Sequence, residues 1–306
     1  MKKTAALILV LFLALFACFA VAESEAITEG DYAYCVNEDG TCTILACKST
    51  EAEITIPETI DGYTVSALGE CVFYDGYGDN ETLKKVIVPA CVRKIANEAF
   101  WNCTALETVV LNEGLESIGV NAFGNCSELK ELAIPESVIE ILGNPASGAG
   151  NLESVTVSEK QSKFQMIDGC LYDTEKCALL MCPSNFSGTC VILEGTKVIA
   201  ESAFARCAEL TSVVIPEGIT EVGESAFAFS NVRDVEFPEG LTKIGKMAFF
   251  FCAKVEQVKI PESVNEIGSM AFYVAPANKN TIILAKLNSY AYDWAKENKV
   301  KVDFYR

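Results

Sequence analysis

The sequence predicts an α/β, right-handed solenoid of about nine coils of roughly 23 residues, each with short strands and one helical turn. Two observations carry that prediction. Ala-Phe pairs recur at Ala99-Phe100, Ala122-Phe123, Ala203-Phe204, Ala226-Phe227, Ala248-Phe249 and Ala271-Phe272, and a weaker first copy ends at Phe73. The phenylalanine steps are 23, 81, 23, 22 and 23 residues; the long step is three repeats plus one insertion. The residues between the pairs also keep one pattern: L-x-x-V-x-I-P, then V-x-x-I-G, then A-F-x-x-C. Leu210, Val213, Ile215, Pro216, Ile219, Val222, Gly223, Ala226 and Phe227 show it, as do Val232, Val235, Phe237, Pro238, Leu241, Ile244, Gly245, Ala248, Phe249 and Cys252.

Each piece of a copy has a local reason. V-x-I alternates with period two, as a strand with one buried face does. Proline ends it, having no N–H for the ladder. V-x-x-I-G gives a second short extended piece, with glycine for a tight turn. A-F-x-x-C places Phe and Cys three apart, the spacing of one helical face. One copy cannot bury this much apolar surface alone, but stacked copies can. The Phe column is therefore read as a buried stack of rings.

The ends and the break follow the same logic. Lys2 and Lys3, an apolar run from Ala5, and Ala20-Val21-Ala22 make a secretory signal over residues 1–22, with an uncleaved anchor as the competing reading. Cys18 sits in a poor lipobox, beside the bulky Phe16 and Phe19. Residues 23–52 form an N-terminal cap, alternating around Asn37-Glu38-Asp39-Gly40 as a hairpin does. The solenoid spans residues 53–284, with an inserted hairpin at about 158–190. Just before the insertion, Pro145 and Ala146 replace Ala and Phe, so that joint is expected to be irregular and weak. Residues 285–306 form the C-terminal cap: Ser289 caps a helix through Lys299, and a strand follows at Val300 to Tyr305.

At this level of detail the copies resemble the BspA-like leucine-rich repeats of bacterial surface and secreted proteins. The resemblance covers about residues 53–284. Ile54 to Tyr63 is similar to the family's opening coil. Asp168-Gly169-Cys170-Leu171-Tyr172 with Leu179 to Pro183 resembles its inserted hairpin, and Tyr290, Tyr292, Trp294 and Ala295 its usual ending. The resemblance implies a horseshoe-shaped leucine-rich-repeat solenoid. It also implies an extracellular or cell-surface protein that recognises other proteins, in adhesion to host matrix or to other microbes.

Composition narrows the chemistry. The net charge of −18 repels phosphate backbones and anionic lipid, so nucleic acid is not an expected partner. The membrane is met only through the signal segment, if that is uncleaved. There is no histidine, which excludes imidazole-based catalysis. No P-loop, dinucleotide fingerprint or EF-hand loop occurs, and neither cofactor nor catalytic residue is assigned. The forty-two carboxylates could hide a glycosidase pair, but most sit at repeat positions. The reading is therefore a monomeric protein-binding solenoid and not an enzyme; a carbohydrate-active hydrolase and a structural envelope component stand as alternatives.

Fourteen cysteines, one of them in the signal segment, leave an odd mature count. Cys103, Cys126, Cys207 and Cys252 fall in the repeat column, as small core hydrophobes. Cys35 with Cys42, and Cys170 with Cys177, flank hairpin turns and are candidate disulfides. Cys170, Cys177, Cys182 and Cys190 could instead hold zinc, but they lack a C-x-x-C knuckle, so no metal is assigned.

The candidate binding residues lie on the concave strand face: Ile87, Val110, Ala133, Thr156, Ile192 and Val214, followed by Glu236 and Lys259. A polar border runs beside them through Lys85, Thr108, Glu131, Ser154, Cys190, Ser212, Asp234 and Gln257. An apolar stripe with a polar rim suits protein recognition; β-branched residues also simply suit exposed strands. A third column, Lys84, Glu107, Lys130, Glu153, Arg233 and Glu256, alternates in sign and is expected to pair across coils.

Overall fold

A computed structural model describes residues 26–74, 79–273 and 281–305. The expected signal segment at residues 1–22 lies outside them.

Period-two segments become in-register parallel strands, one per coil. Glu53–Thr55, Lys85–Val88, Thr108–Leu111, Glu131–Ile134 and Ser154–Val157 form one sheet, with Lys85, Thr108, Glu131 and Ser154 in a single row. Beyond the insertion the same wall continues with Gly188–Val191 against Leu210–Val214. It ends in Asp234–Glu236, Gln257–Lys259, Ile282–Lys286 and Val302–Tyr305. The V-x-x-I-G pieces form a second wall of two-residue strands, such as Lys94–Ile95, Ser117–Ile118 and Glu140–Ile141. The fold is thus the expected solenoid. The described residues make about eleven turns, more than the nine read from the clear copies, because the outermost strands continue the stack with little of the repeat pattern.

The A-F-x-x-C segments are not helical. Glu98, Asn121, Ser202, Ser225, Met247 and Met270, just before the Ala-Phe pairs, have φ between 53° and 58°. Asn102, Asn125, Arg206, Phe229 and Phe251, near the Cys position, have φ between 53° and 61°. Every second amide of the turn points to the next coil, while those between close tight turns in their own, as Trp101 N–H does on Glu98 O at 2.9 Å. Phe100 N–H donates to the Ala122 carbonyl at 2.7 Å, Phe204 to Ala226 at 2.7 Å and Phe227 to Ala248 at 2.8 Å. A third hydrogen-bonded wall replaces the helix. That exchange offsets the cost of holding non-glycine residues in the left-handed region. The only α-helix among the described residues is Tyr290–Glu297, where Ser289 accepts from Tyr292 N–H at 3.3 Å.

The I-G glycines serve a different need from the expected tight turn. Gly245 has no positive φ, but a Cβ there would lie 2.5 Å from the Gly223 carbonyl carbon. Close backbone stacking between coils selects glycine.

The phenylalanines fill the core as two stacks. Phe73, Phe100 and Phe123 are spaced 4.9 and 5.2 Å apart. Phe204, Phe227, Phe249 and Phe272 are spaced 5.0, 4.9 and 5.2 Å. Trp294 of the terminal helix closes the second stack edge-on, 5.8 Å from Phe272. Ala146 interrupts the column, and the buried core divides into two clusters nearby. The hairpin strands Cys170–Asp173 and Ala178–Met181 stand between them, buried along their whole length. Leu171, Ala178 and Leu180 belong to the N-terminal cluster, whereas Cys170, Tyr172 and Leu179 belong to the C-terminal one. Both faces of this hairpin are core, which is why its strands read as continuous apolar runs.

The joint holds together through the turn wall. Asn144, fully buried, donates its backbone N–H to Glu201 O at 3.0 Å. Its side chain donates to Ser202 O at 3.0 Å and accepts from Ala146 N at 2.9 Å. Asn144→Ala leaves Ala146 N–H and Ser202 C=O without these partners. It is expected to cost about 2–3 kcal/mol, read by urea denaturation; a loss below about 0.5 kcal/mol would mean that water replaces the amide freely.

Candidate functional site

The outer face of the first parallel sheet carries most of the expected stripe. Ala133 and Thr156 are exposed, Ile87 and Val110 half-buried, and Val214 is 49% exposed. Ile192 does not belong to it. Ile192 is buried at 2%, and the outward residue of its coil is Val191, 60% exposed and level with Val214. The same one-residue slip buries Cys190 and puts Thr189 in the polar border beside Ser212. In this coil Cys190 and Ile192 take the V and I positions, and no proline follows to mark the end. A slip of one residue reverses every side chain of a strand.

Toward the C-terminal end the stripe becomes charged. Glu236 and Lys259 pair across neighbouring strands. Lys259 Nζ also lies 5.4 Å from the Tyr305 ring, whose hydroxyl donates to Ile260 O at 3.1 Å. Val214, Glu236, Lys259, Leu284 and Tyr305 line an open recess of about 540 Å³. The stripe thus ends in a pocket with an aromatic wall and both signs of charge.

The sign-alternating column does not pair as expected. Among the described residues no ion pair joins Lys84, Glu107, Lys130, Glu153, Arg233 or Glu256. Ion pairs between coils use other rows, such as Lys243–Glu221 and Lys246–Glu224, both 2.9 Å. Lys84, Glu107 and Lys130 are tied instead by their backbones: Glu107 N–H donates to Lys84 O at 2.8 Å and Glu153 N–H to Lys130 O at 2.8 Å. Exposed side chains at such positions gain little from pairing.

The turn wall carries a second feature that the periodicity did not reveal. Arg206 lies between two aromatic faces, 5.5 Å from the Trp101 ring and 5.0 Å from that of Phe229. Gly148 (φ +81°) makes room for it, since a Cβ there would sit 2.7 Å from Arg206 Cδ. Burial draws the Arg206 pKa down. Glu98 and Glu201 line the same groove, of about 360 Å³. Burial, then the neighbouring Glu70 and Glu201, raise the Glu98 carboxyl to about 7, against a thiol contact from Cys71. Burial and Glu224 raise Glu201 as well. The sequence signal available was the run of Gly124, Ser147 and Ala205 where other coils carry Trp101 or Phe250.

The thiols are arranged differently from the expected disulfides. Cys35 is opposite Thr43, and Cys42 is opposite Val36, so Cys35 and Cys42 face opposite sides of their hairpin. Cys177 precedes Ala178 at the turn end of the inserted hairpin, whereas Cys170 starts the strand at the other end. All four are free thiols. Cys170, Cys182 and Cys190 come together instead, with sulfurs within 4.8 Å of one another. In the repeat column, burial raises Cys126 and Cys252 to about 12. Their thiols donate to Phe100 O at 3.2 Å and Phe227 O at 2.9 Å, so they act as core residues.

The three-walled stack of 22- to 23-residue coils defines a leucine-rich-repeat protein. The model of the BspA-type leucine-rich repeat region matches residues 72–187 and 183–299 in six copies, and the chain belongs to that family. Among solved structures it is similar to the pneumococcal vaccine antigen PcpA, with 16% identity, 92% of this chain and 99% of that one covered, and a TM-score of 0.54. It is also similar to a leucine-rich repeat protein from Eubacterium ventriosum, with 18% identity, 84% and 77% covered, and a TM-score of 0.57. These likenesses concern the fold. No curated protein matches the sequence significantly. No helix of the described residues is long and apolar enough to cross a membrane.

Proposed function

We propose that this chain is an exported, monomeric recognition solenoid that binds an extracellular or surface protein through the outer face of its first parallel sheet. The observation that carries the reading is the stripe of Ile87, Val110, Ala133, Thr156, Val191 and Val214 running into the Glu236–Lys259–Tyr305 recess. Exposed branched side chains along consecutive strands supply apolar area, and the recess supplies orientation. Membership of a family of surface proteins supports the same reading, with adhesion to host matrix or other microbes as its finer form.

The test is saturable binding of the purified protein to matrix proteins and to whole bacteria, beside a Val191→Glu/Val214→Glu variant. Both side chains are exposed, so the fold should persist by circular dichroism. At a central contact the variant should weaken binding at least about tenfold. Undiminished binding would exclude this face. Absence of any binding, with self-assembly in light scattering, would favour the envelope-component reading.

A hydrolase reading has one observation in its favour, the Glu98 carboxyl held near neutrality in a groove. Acid–base pairs, however, have environments that drive the two groups apart. Burial raises Glu98 and Glu201 in the same direction, so these two do not show the opposed tuning of an acid–base pair.

A further inference from the structure

The three thiols that meet in the C-terminal core come from separate pieces of chain. Leu171 is opposite Met181 in the inserted hairpin, which puts Cys170 across from Cys182 at the hairpin's open end. Cys190 belongs to the strand that restarts the solenoid, Gly188–Val191. All three are buried, Cys182 completely. Cys170 Sγ and Cys190 Sγ are 3.8 Å apart, and every pair in the trio is within 4.8 Å. Cys207, in the turn of the next coil, is fully buried, and its sulfur is 3.6 Å from Cys182 O.

A zinc ion with Zn–S bonds of about 2.3 Å in a tetrahedron has sulfur–sulfur edges of about 3.8 Å. The Cys170–Cys190 separation is such an edge. A disulfide needs sulfurs about 2 Å apart, and those of Cys170 and Cys190 are 3.8 Å apart. Thiolate donors without oxygen or imidazole select a soft, closed-shell cation.

We propose that Cys170, Cys182 and Cys190, with Cys207 as fourth donor, bind one zinc ion that fastens the inserted hairpin to the C-terminal half of the solenoid. Binding replaces the proton of each coordinating thiol, so protons are released to solvent as the metal enters. The site is structural: four protein donors fill the coordination sphere and leave no open position for substrate. Its location explains its use. The ring column is interrupted at Ala146, and here the core divides into its two clusters. The metal would tie together the hairpin, the restarting strand and the next turn where ring stacking cannot.

The test is metal content of the full chain purified without chelator, together with titration of the metal-free protein by Co²⁺. One zinc per chain and the charge-transfer and ligand-field absorption of a tetrahedral cobalt–thiolate site are expected. Cys190→Ser should weaken zinc binding at least about tenfold, whereas Cys103→Ser should not. Serine already stands at the equivalent Ser230 of another coil, so that control is tolerated by the fold. If Cys190→Ser fails to fold, stripping zinc from the wild type with a chelator gives the second readout, an expected fall in Tm restored by zinc. A chain that binds neither zinc nor cobalt while its trio is labelled as free thiols would overturn the proposal. So would a Cys170–Cys190 disulfide found by peptide mapping.

Discussion

Phe227→Ala is expected to be among the most destabilising single changes in this chain, costing about 3–5 kcal/mol. Phe227 is fully buried and lies between two nearly parallel rings, 5.0 Å from Phe204 and 4.9 Å from Phe249. Truncation removes both ring contacts and leaves a cavity that the three hydrogen-bonded walls cannot close. Phe204→Ala removes a ring of the same size, but among the described residues Phe204 stacks on one ring only, that of Phe227. One ring pair is worth about 0.5–1.5 kcal/mol beyond burial, so Phe204→Ala should cost less by about that much. Urea denaturation gives the totals. A double-mutant cycle between Phe227 and Phe249 gives the coupling. Equal costs at Phe204 and Phe227 with no coupling would show that the rings act only as volume. Solenoids can lose two-state behaviour, so hydrogen exchange at Phe204 and Phe249 amides is the companion measurement. The loss should spread to both neighbouring coils and fade beyond them.

The stacking of these rings was legible in the sequence because a 23-residue period fixes which residues lie above one another. The shape of the turn that carries them was not. Phe and Cys three apart suit one helical turn and equally suit a tight turn with left-handed residues at either side. The choice falls to the amides, and every second one bonds to a neighbouring coil that periodicity alone does not orient. Asn102, Asn121 and Asn125 were a local hint, since asparagine tolerates positive φ. Glu98, Arg206 and Phe229 adopt the same conformation with no such preference, because the neighbouring coils impose it.

The face of the sheet was legible wherever an aliphatic residue holds the V position, even where Asn112 or Ser158 stands in place of the closing proline. It failed at Ile192, where Cys190 stands in the V position and Leu193 replaces the proline. Long-range arrangements were out of reach for a different reason. Cys182 and Cys190 are close in sequence and Cys207 is a coil away, but only the hairpin's register turns Cys170 and not Cys177 toward them. Likewise, Arg206 meets Trp101 because small residues at Gly124, Ser147 and Gly148 leave the intervening coils open. A gap in side-chain volume has no periodic signature.

The groove around Arg206 should make stability depend on pH through Glu98. Its carboxyl is raised from 4.5 to about 7, first by burial and then by Glu70 and Glu201. Between those pH values the folded chain holds a proton on Glu98 that the unfolded chain has released. Stability from this group is therefore full below about pH 4.5 and is lost as pH rises through about 7, a total of up to about 3 kcal/mol. Glu98→Gln keeps the shape and stays neutral, so the variant and the wild type should be equally stable at pH 4. At pH 8 the variant should be the more stable by up to about 3 kcal/mol. The comparison cancels the contributions of carboxylates whose pKa values are lowered, such as Asp39 and Glu113, because both proteins carry them. Denaturation midpoints measured from pH 4 to 8 give the difference curve. A difference that does not change with pH would mean that Glu98 ionises like an exposed carboxylate. The same titration alters the groove: Glu98 becomes negative near neutrality, while Arg206 stays cationic between its aromatic faces despite its burial. Removing the Glu201 charge with Glu201→Gln should move the Glu98 transition to lower pH, because Glu201 is one of the groups that raise it. That shift would separate the charge contribution from burial, which the substitution leaves in place.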